Sequence, residues 1–497
     1  MYFRTNKAIK SQSLHMKLTK GVIHSIGYTV IGSLPFLSAL VLLPFYSNQL
    51  STADFGLLNV YISLALLSQV LTTLGVDQYI PVLVNNPDHN SEQKKKLLSH
   101  AYGFQLIYGL LFAGVLMLLG NFVLGLVYSD DTLEFWPYGA LSVMTGFFNG
   151  YFRTQTTLLT FEENVKTYAV FNVINFVLTI GLSLVFLDIY GPSIYGPMLG
   201  RLISGVVIFL MSLLYQLRHA PPAAASSGMK EVMSIGLVMF MYSLMMWILS
   251  YFDRFVLTGW CTLEEVAIYD FCTKCLLPLE FLQMGLSGFL LPRLYKSFNG
   301  NFSNPGMSKA NTLLHSFMVA SVVGLIGTMV FIPIIGPVFI KNEALFDSFE
   351  LMGLMGIGYL VRGLFILYMG VLMLRKEAKK LVKSLFVSSV IQVGLLIPLV
   401  SLYGVYGAIA AMVAGKIISV VLLRFEMRKR VVLAINPNKL IIYPSLISGM
   451  LVIAFFLQNT TGYYTTLGAV ALLSIFLSWF FFRNDIGKAK EVLFGKD

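Results

Sequence analysis

Residues 250–296 read SYFDRFVLTGWCTLEEVAIYDFCTKCLLPLEFLQMGLSGFLLPRLYK, two apolar spans that meet at a short polar corner and carry charges inside their own apolar sequence. Asp253 and Arg254 lie near the end of the first span, Glu264 and Glu265 in the corner, and Asp270, Lys274 and Glu280 in the second span. An ion at mid-bilayer costs about 2.5–3.5 kcal/mol on an insertion scale, so a span that keeps such residues turns them toward a cavity or a partner and away from lipid. On a helical wheel Glu280, Thr273, Asp270 and Lys274 cover about a third of the circumference, with Asp270 and Lys274 at the i,i+4 spacing of an ion pair. The stretch predicts a helix with one wet face.

Working outward, the whole chain is built in the same manner. Its 497 residues are 57% hydrophobic and 12% charged, against about a quarter charged in soluble domains. Apolar runs recur at 22–46, 57–80, 97–128, 135–159, 168–187, 193–214, 232–258, 266–291, 313–340, 350–374, 384–402, 405–425, 440–457 and 463–482. Most reach the roughly 20 residues that span a bilayer, so an all-α integral membrane protein of about fourteen transmembrane helices is expected. The N-terminal MYFRTNKAIKSQSLHMKLTKG is basic, but a long apolar run and no small-residue cleavage site follow, which reads as an uncleaved first span.

The cations fix an orientation. With the N-terminus in the cytoplasm, Lys94–Lys96, the cluster at 375–383 and that at 424–439 all fall on the cytoplasmic side. Of 35 Lys and Arg residues, only Arg201, Arg254, Lys274, Lys341, Arg362 and Lys416 then lie elsewhere. This asymmetry predicts a multi-pass protein of the cytoplasmic (inner) membrane with both termini cytoplasmic. The net charge of +11 is that of loops beside anionic membrane lipid; no aromatic-interleaved basic groove suggests nucleic acid.

One fixed offset relates two parts of the chain. Adding 211 carries STADFGLL at 51–58 onto TLEEVAIY at 262–269, Pro81 onto Pro292, Gly125 onto Gly336, and Tyr195-Gly196 onto Tyr406-Gly407. Six helices per repeat is an even number, so the halves share an orientation, which is the parallel-repeat transporter design with its path between them. The expected divisions are 1–217, a six-helix half; 218–231, a cytoplasmic linker; 232–430, the second half; and 431–497, an extra helix pair with a tail.

Three stretches carry a family resemblance. DRFVLTGWCTLEEVAIYDFCTKCLLPLEFLQMGLSGFLLPRL resembles the seventh and eighth helices of the polysaccharide (O-antigen type) flippases of the multidrug/oligosaccharidyl-lipid/polysaccharide (MOP) exporter superfamily. Ala267 stands where that family usually has Gly. LPFYSNQLSTADFGLLNVYISL at 43–64 and LYGVYGAIAAMVAGKI at 402–417 are similar to further family stretches. The resemblance implies a MATE-like fold and movement of an undecaprenyl-pyrophosphate-linked oligosaccharide to the outer leaflet for surface polysaccharide synthesis.

Candidate residues follow from charge at depth. Arg254, Lys274, Arg201, Arg362 and Lys416 would line a cationic path for an anionic head group, because cations offset the desolvation of a pyrophosphate. Asp253, Asp270, Glu280 and His24 are candidates for pairing or for coupling to an ion such as H+ or Na+. Asp77, near a helix end, reads as a cap or loop contact, and Gly32, Pro35, Pro278 and Pro398 are candidate bending points.

Catalytic signatures are missing. Gly415-Lys416 lacks the upstream Gly of a phosphate loop, so no nucleotide cofactor is expected, and Cys272 and Cys275 form a C-x-x-C within a span with no second ligand pair for a metal. Loops of this length hold no soluble catalytic domain. The rivals are a drug/cation antiporter of the same superfamily, which would favour an anionic lumen; a lipid II-type peptidoglycan precursor flippase; and a membrane polymerase or ligase, which would need a large outer loop.

Overall fold

A computed structural model describes residues 31–128, 132–223, 229–298, 304–374, 377–428, 436 and 438–483. Among them the regular elements are helical: α1 (Leu34–Gln49), α2 (Thr52–Thr73), α3 (Val76–Asn85), α4 (Ser91–Val127), α5 (Ala140–Phe161), α6 (Val165–Tyr190) and α7 (Tyr195–His219). They continue as α8 (Met229–Trp260), α9 (Leu263–Cys275), α10 (Leu277–Phe298), α11 (Asn304–Phe339), α12 (Ser348–Leu360), α13 (Arg362–Leu374), α14 (Ala378–Arg428), α15 (Tyr443–Thr461) and α16 (Tyr463–Phe482).

The two corners that the 211-residue shift superimposes are capped alike. The Ser51 hydroxyl accepts from Asp54 N–H at the start of α2, and the Thr262 hydroxyl accepts from Glu265 N–H at the start of α9, with Glu265 returning to Thr262 N–H. Ser or Thr followed three residues later by an acid satisfies orphan donors and places negative charge at the positive end of the helix dipole.

Among the described residues ten helical stretches are long and apolar enough to cross a membrane, against the fourteen spans expected of the whole chain. The difference has local causes. Residues 379–427 run as one stretch in which the expected 384–402 and 405–425 join across a kink at Gly404, whose φ of 55° and ψ of −131° leave the helical region. The run at 266–291 falls on α9 and α10, whose charges lower its hydropathy, and α5 is diluted by Asn149, Arg153, Gln155 and its threonines. The run at 22–46 lies partly outside the described residues. Pro278 has no N–H for the turn before it, and the helix is interrupted at Leu276 between α9 and α10.

α2 packs on α5, α8 and α9, α6 on α7, α8 on the kinked α14, α12 on α9 and α15, and α15 on α16. One apolar cluster runs from Leu42, Tyr46, Phe55 and Tyr61 through Val266, Tyr269 and Phe271 to Met352, Tyr359 and Ala408. The faces of α4, α6 and α16 that carry Leu118, Phe122, Val177 and Leu472 stay exposed, as expected of surfaces made for lipid.

α2 and α9 approach closely because Gly56 has no side chain. A Cβ there would lie 2.2 Å from the Leu263 carbonyl oxygen and 3.1 Å from Ala267 N. Gly56 and Ala267 are equivalent under the 211-residue shift, so the two corners meet at the point that the repeat relates.

Candidate functional site

The charges of the 250–296 stretch converge. Arg254 is 3% exposed and held on two of its nitrogens: Nε donates to Asp270 Oδ1 at 2.8 Å, and Nη1 donates to Asp253 Oδ1 and the Ser250 carbonyl, both at 2.9 Å. Tyr269 donates its hydroxyl to the other Asp253 oxygen, and the rings of Tyr251 and Tyr269 lie 5.2 and 5.7 Å from the guanidinium. A planar fork suits this two-carboxylate seat better than an ammonium would.

Lys274 extends the cluster across to α2. Its Nζ pairs with Asp270 Oδ2 at 3.0 Å, as the i,i+4 spacing predicts, and lies 4.4 Å from the centre of the Phe55 ring. It also donates to Asn59 Oδ1, while Asn59 Nδ2 donates to the Phe55 carbonyl at 2.7 Å and so fixes the amide's orientation. Beyond Pro278, Glu280 stands apart from this cluster and pairs with Arg362 at 2.8 Å, both groups about a quarter exposed.

Counting charges changes the expected picture. Arg254 and Lys274 are balanced by Asp253 and Asp270, and Arg362 by Glu280. Lys416 and Arg201 have no carboxylate partner among the described residues. Lys416 holds its ammonium 4.6 Å from the centre of the Tyr359 ring, within Coulombic reach of Glu280 and Arg362. Arg201 sits within Coulombic reach of Lys274, and its Nε is buried without a hydrogen-bond partner among the described residues. The five cations therefore divide into three that are internally neutralised and two that are not.

Some of this was absent from the sequence reading. Asn59 and Tyr359 serve Lys274 and Lys416, and the signal for Asn59 was available, since the 211-residue shift carries it onto Asp270. Asp77 is no loop contact: it is 3% exposed in the first turn of α3 and pairs with Arg153 of α5 at 2.9 Å. His24 lies outside the described residues. Cys272 and Cys275 are free thiols packed in the core, whereas Cys261 is half-buried in the α8–α9 corner, where burial and then nearby Glu265 push its thiol up to about 11.

The sequence model of a family described as "Polysaccharide biosynthesis protein" matches residues 49–298, half of the chain, from the first corner through the ionic cluster. The chain belongs to that family. No curated protein sequence matches it. Among solved structures, "Lipid II flippase MurJ, inward closed conformation" is similar with a TM-score of 0.67 at 16% identity, covering 93% of this chain and 99% of that one. Inward-facing and outward-facing structures of a multidrug resistance MATE transporter of the MOP superfamily give TM-scores of 0.55 and 0.54, both at 16% identity and both covering 82% of this chain. They are covered over 93% and 94% of their own lengths. At such identities the likeness is one of fold. Family and fold together make this a multi-pass membrane protein of the polysaccharide biosynthesis family, helical throughout its regular elements among the described residues, with a fold like that of the MurJ flippase and the MATE transporter.

Proposed function

We propose that the protein is a flippase that carries a lipid-linked oligosaccharide, joined through an undecaprenyl-pyrophosphate-type anchor, from the cytoplasmic to the outer leaflet of the cytoplasmic membrane. The observation that carries this reading is the pair of uncompensated cations, Lys416 and Arg201, beside an ionic cluster that is otherwise neutral. An anionic head group brings the charge this arrangement lacks, whereas a cationic drug would bring more of the charge already in excess. The paired groups then have a second role. Arg254, Lys274 and Arg362 hold their carboxylates in low-dielectric surroundings, and Asp270, which serves both Arg254 and Lys274, keeps one cation when Lys274 turns to another anion.

The reading takes α1–α7 and α8–α14 as two parallel halves, with α15 and α16 outside the repeat. The matching caps of Ser51 and Thr262 and the meeting of Gly56 with the Leu263–Ala267 turn support it. Transport would be carrier-like and not enzymatic, driven by the substrate gradient, the membrane potential or H+ or Na+, with the carboxylates of Asp253, Asp270 and Glu280 available for coupling. Its test is reconstitution. Purified protein in liposomes should move a fluorescent polyprenyl-pyrophosphate oligosaccharide to the far leaflet, seen as protection from a membrane-impermeant quencher. Unchanged protection relative to empty liposomes would overturn the reading.

A further inference from the structure

The Lys274–Asn59 contact joins the two parts of the chain at the point where they seal one face. Along that seal Asn48 donates to the Phe339 carbonyl at 2.8 Å and accepts from Lys341 N–H at 2.7 Å, and Asn342 Nδ2 donates to Thr52 Oγ1 at 3.0 Å. Tyr128, at the end of α4, donates to the Phe255 carbonyl of α8 at 2.7 Å. Each of these bonds runs between α1–α4 and residues of α8 or beyond, on the face of the α1–α2 and α8–α9 corners that the charge asymmetry puts outside. Below them Gly56 lets α2 rest on the backbone of α9. Asn59 lies one turn further along α2, 3% exposed, its amide held by Phe55 so that Oδ1 meets the ammonium of α9.

We propose that Asn59 is a positioning residue for Lys274, and that an arriving phosphate anion opens the corner face by drawing the Lys274 ammonium off Asn59. The proposal rests on the anionic-substrate reading above. Asp270 keeps its Arg254 Nε bond at Oδ1 when Lys274 turns away, so its charge stays countered while Oδ2 gives up the ammonium. Asn59 is the neutral end of the contact. A neutral acceptor holds an ammonium less tightly than a phosphate does, so the substrate wins the exchange. Once the strut is lost, what joins α2 to α9 at this level is the Gly56 contact and the apolar packing of Phe55 on Phe271, while the polar bonds of Asn48 and Thr52 run to Phe339, Lys341 and Asn342. Recognition and opening thereby share one side chain.

The experiment uses the full chain in lipid nanodiscs with Cys261→Ser, and spin labels on Ala53→Cys and Glu264→Cys, which are equivalent positions in the first turns of α2 and α9. Inorganic pyrophosphate is the probe, its binding followed by calorimetry. It should bind, and the label-to-label distance should shift to a longer population. Asn59→Asp, which offers Lys274 a competing carboxylate, should keep the short distance and weaken pyrophosphate roughly tenfold. Asn59→Leu should show the long distance without pyrophosphate while retaining binding. Pyrophosphate that binds without changing the distance, or an Asn59→Leu protein with the parent's response, overturns this inference and leaves the anionic-substrate reading standing. Absence of binding to the parent chain overturns both.

Discussion

Arg254 and Asp270, sixteen residues apart in sequence and on either side of a helical corner, lie 2.8 Å apart with both side chains at least nine-tenths buried. The pair closes α8 onto α9 around one guanidinium, and Arg254 also serves Asp253. Arg254→Ala would leave two carboxylates in the interior with one cation removed, a loss of about 3–5 kcal/mol. Protein abundance should fall with export. Arg254→Lys keeps the charge but not the fork, and should restore abundance in part.

Lys274 is replaceable at less cost to folding. Asp270 retains Arg254 when Lys274 is gone, so Lys274→Ala should leave abundance near that of the parent while export is lost. Were Lys274 held only by Asp270, adding Asp270→Ala to Lys274→Ala would restore both. The geometry predicts the reverse, since removing Asp270 takes a partner from Arg254, and the double variant should be less abundant than Lys274→Ala alone. Immunoblotting of membranes together with surface polysaccharide measures the cycle.

How the site divides between legible and illegible follows from range. The Asp270–Lys274 pair is an i,i+4 contact on one helix and could be read from spacing, as could the capped corners, because caps are local chemistry. Glu280 to Arg362, Lys274 to Asn59 and Asp77 to Arg153 are contacts between helices whose rotation and depth no single span determines. The spans show the same divide. Apolar runs located the helices, but the join at Gly404 and the interruption at Leu276 come from backbone that hydropathy does not sense.

Cys261 gives a test of topology with a pH signature. Its thiol, pushed up to about 11 by burial and then by Glu265, is almost wholly protonated at neutral pH, and the thiolate is the reactive form. Labelling of intact spheroplasts by a membrane-impermeant maleimide should be slow at pH 7 and rise about tenfold per pH unit up to pH 9. Labelling that requires permeabilisation would invert the expected orientation.

Gly56→Ala tests the seal between the corners. The added Cβ would meet the Leu263 carbonyl oxygen at 2.2 Å, and both partners are backbone or bound to it, so the helices must separate. A disulfide between cysteines placed at Thr52 and Leu263 should form readily in the parent and poorly in the variant, with export reduced. Equal crosslinking in both would show that the corners tolerate the methyl group.

The most direct test of the account is to remove the uncompensated charges with the cluster left intact. Lys416→Met and Arg201→Met each delete a cation without depriving a carboxylate of its partner among the described residues. Each variant, reconstituted at parental abundance and thermal stability, should lose at least tenfold in the rate at which it flips the fluorescent polyprenyl-pyrophosphate oligosaccharide. Parental flipping rates in both variants would contradict the claim that these two cations receive the anionic head group.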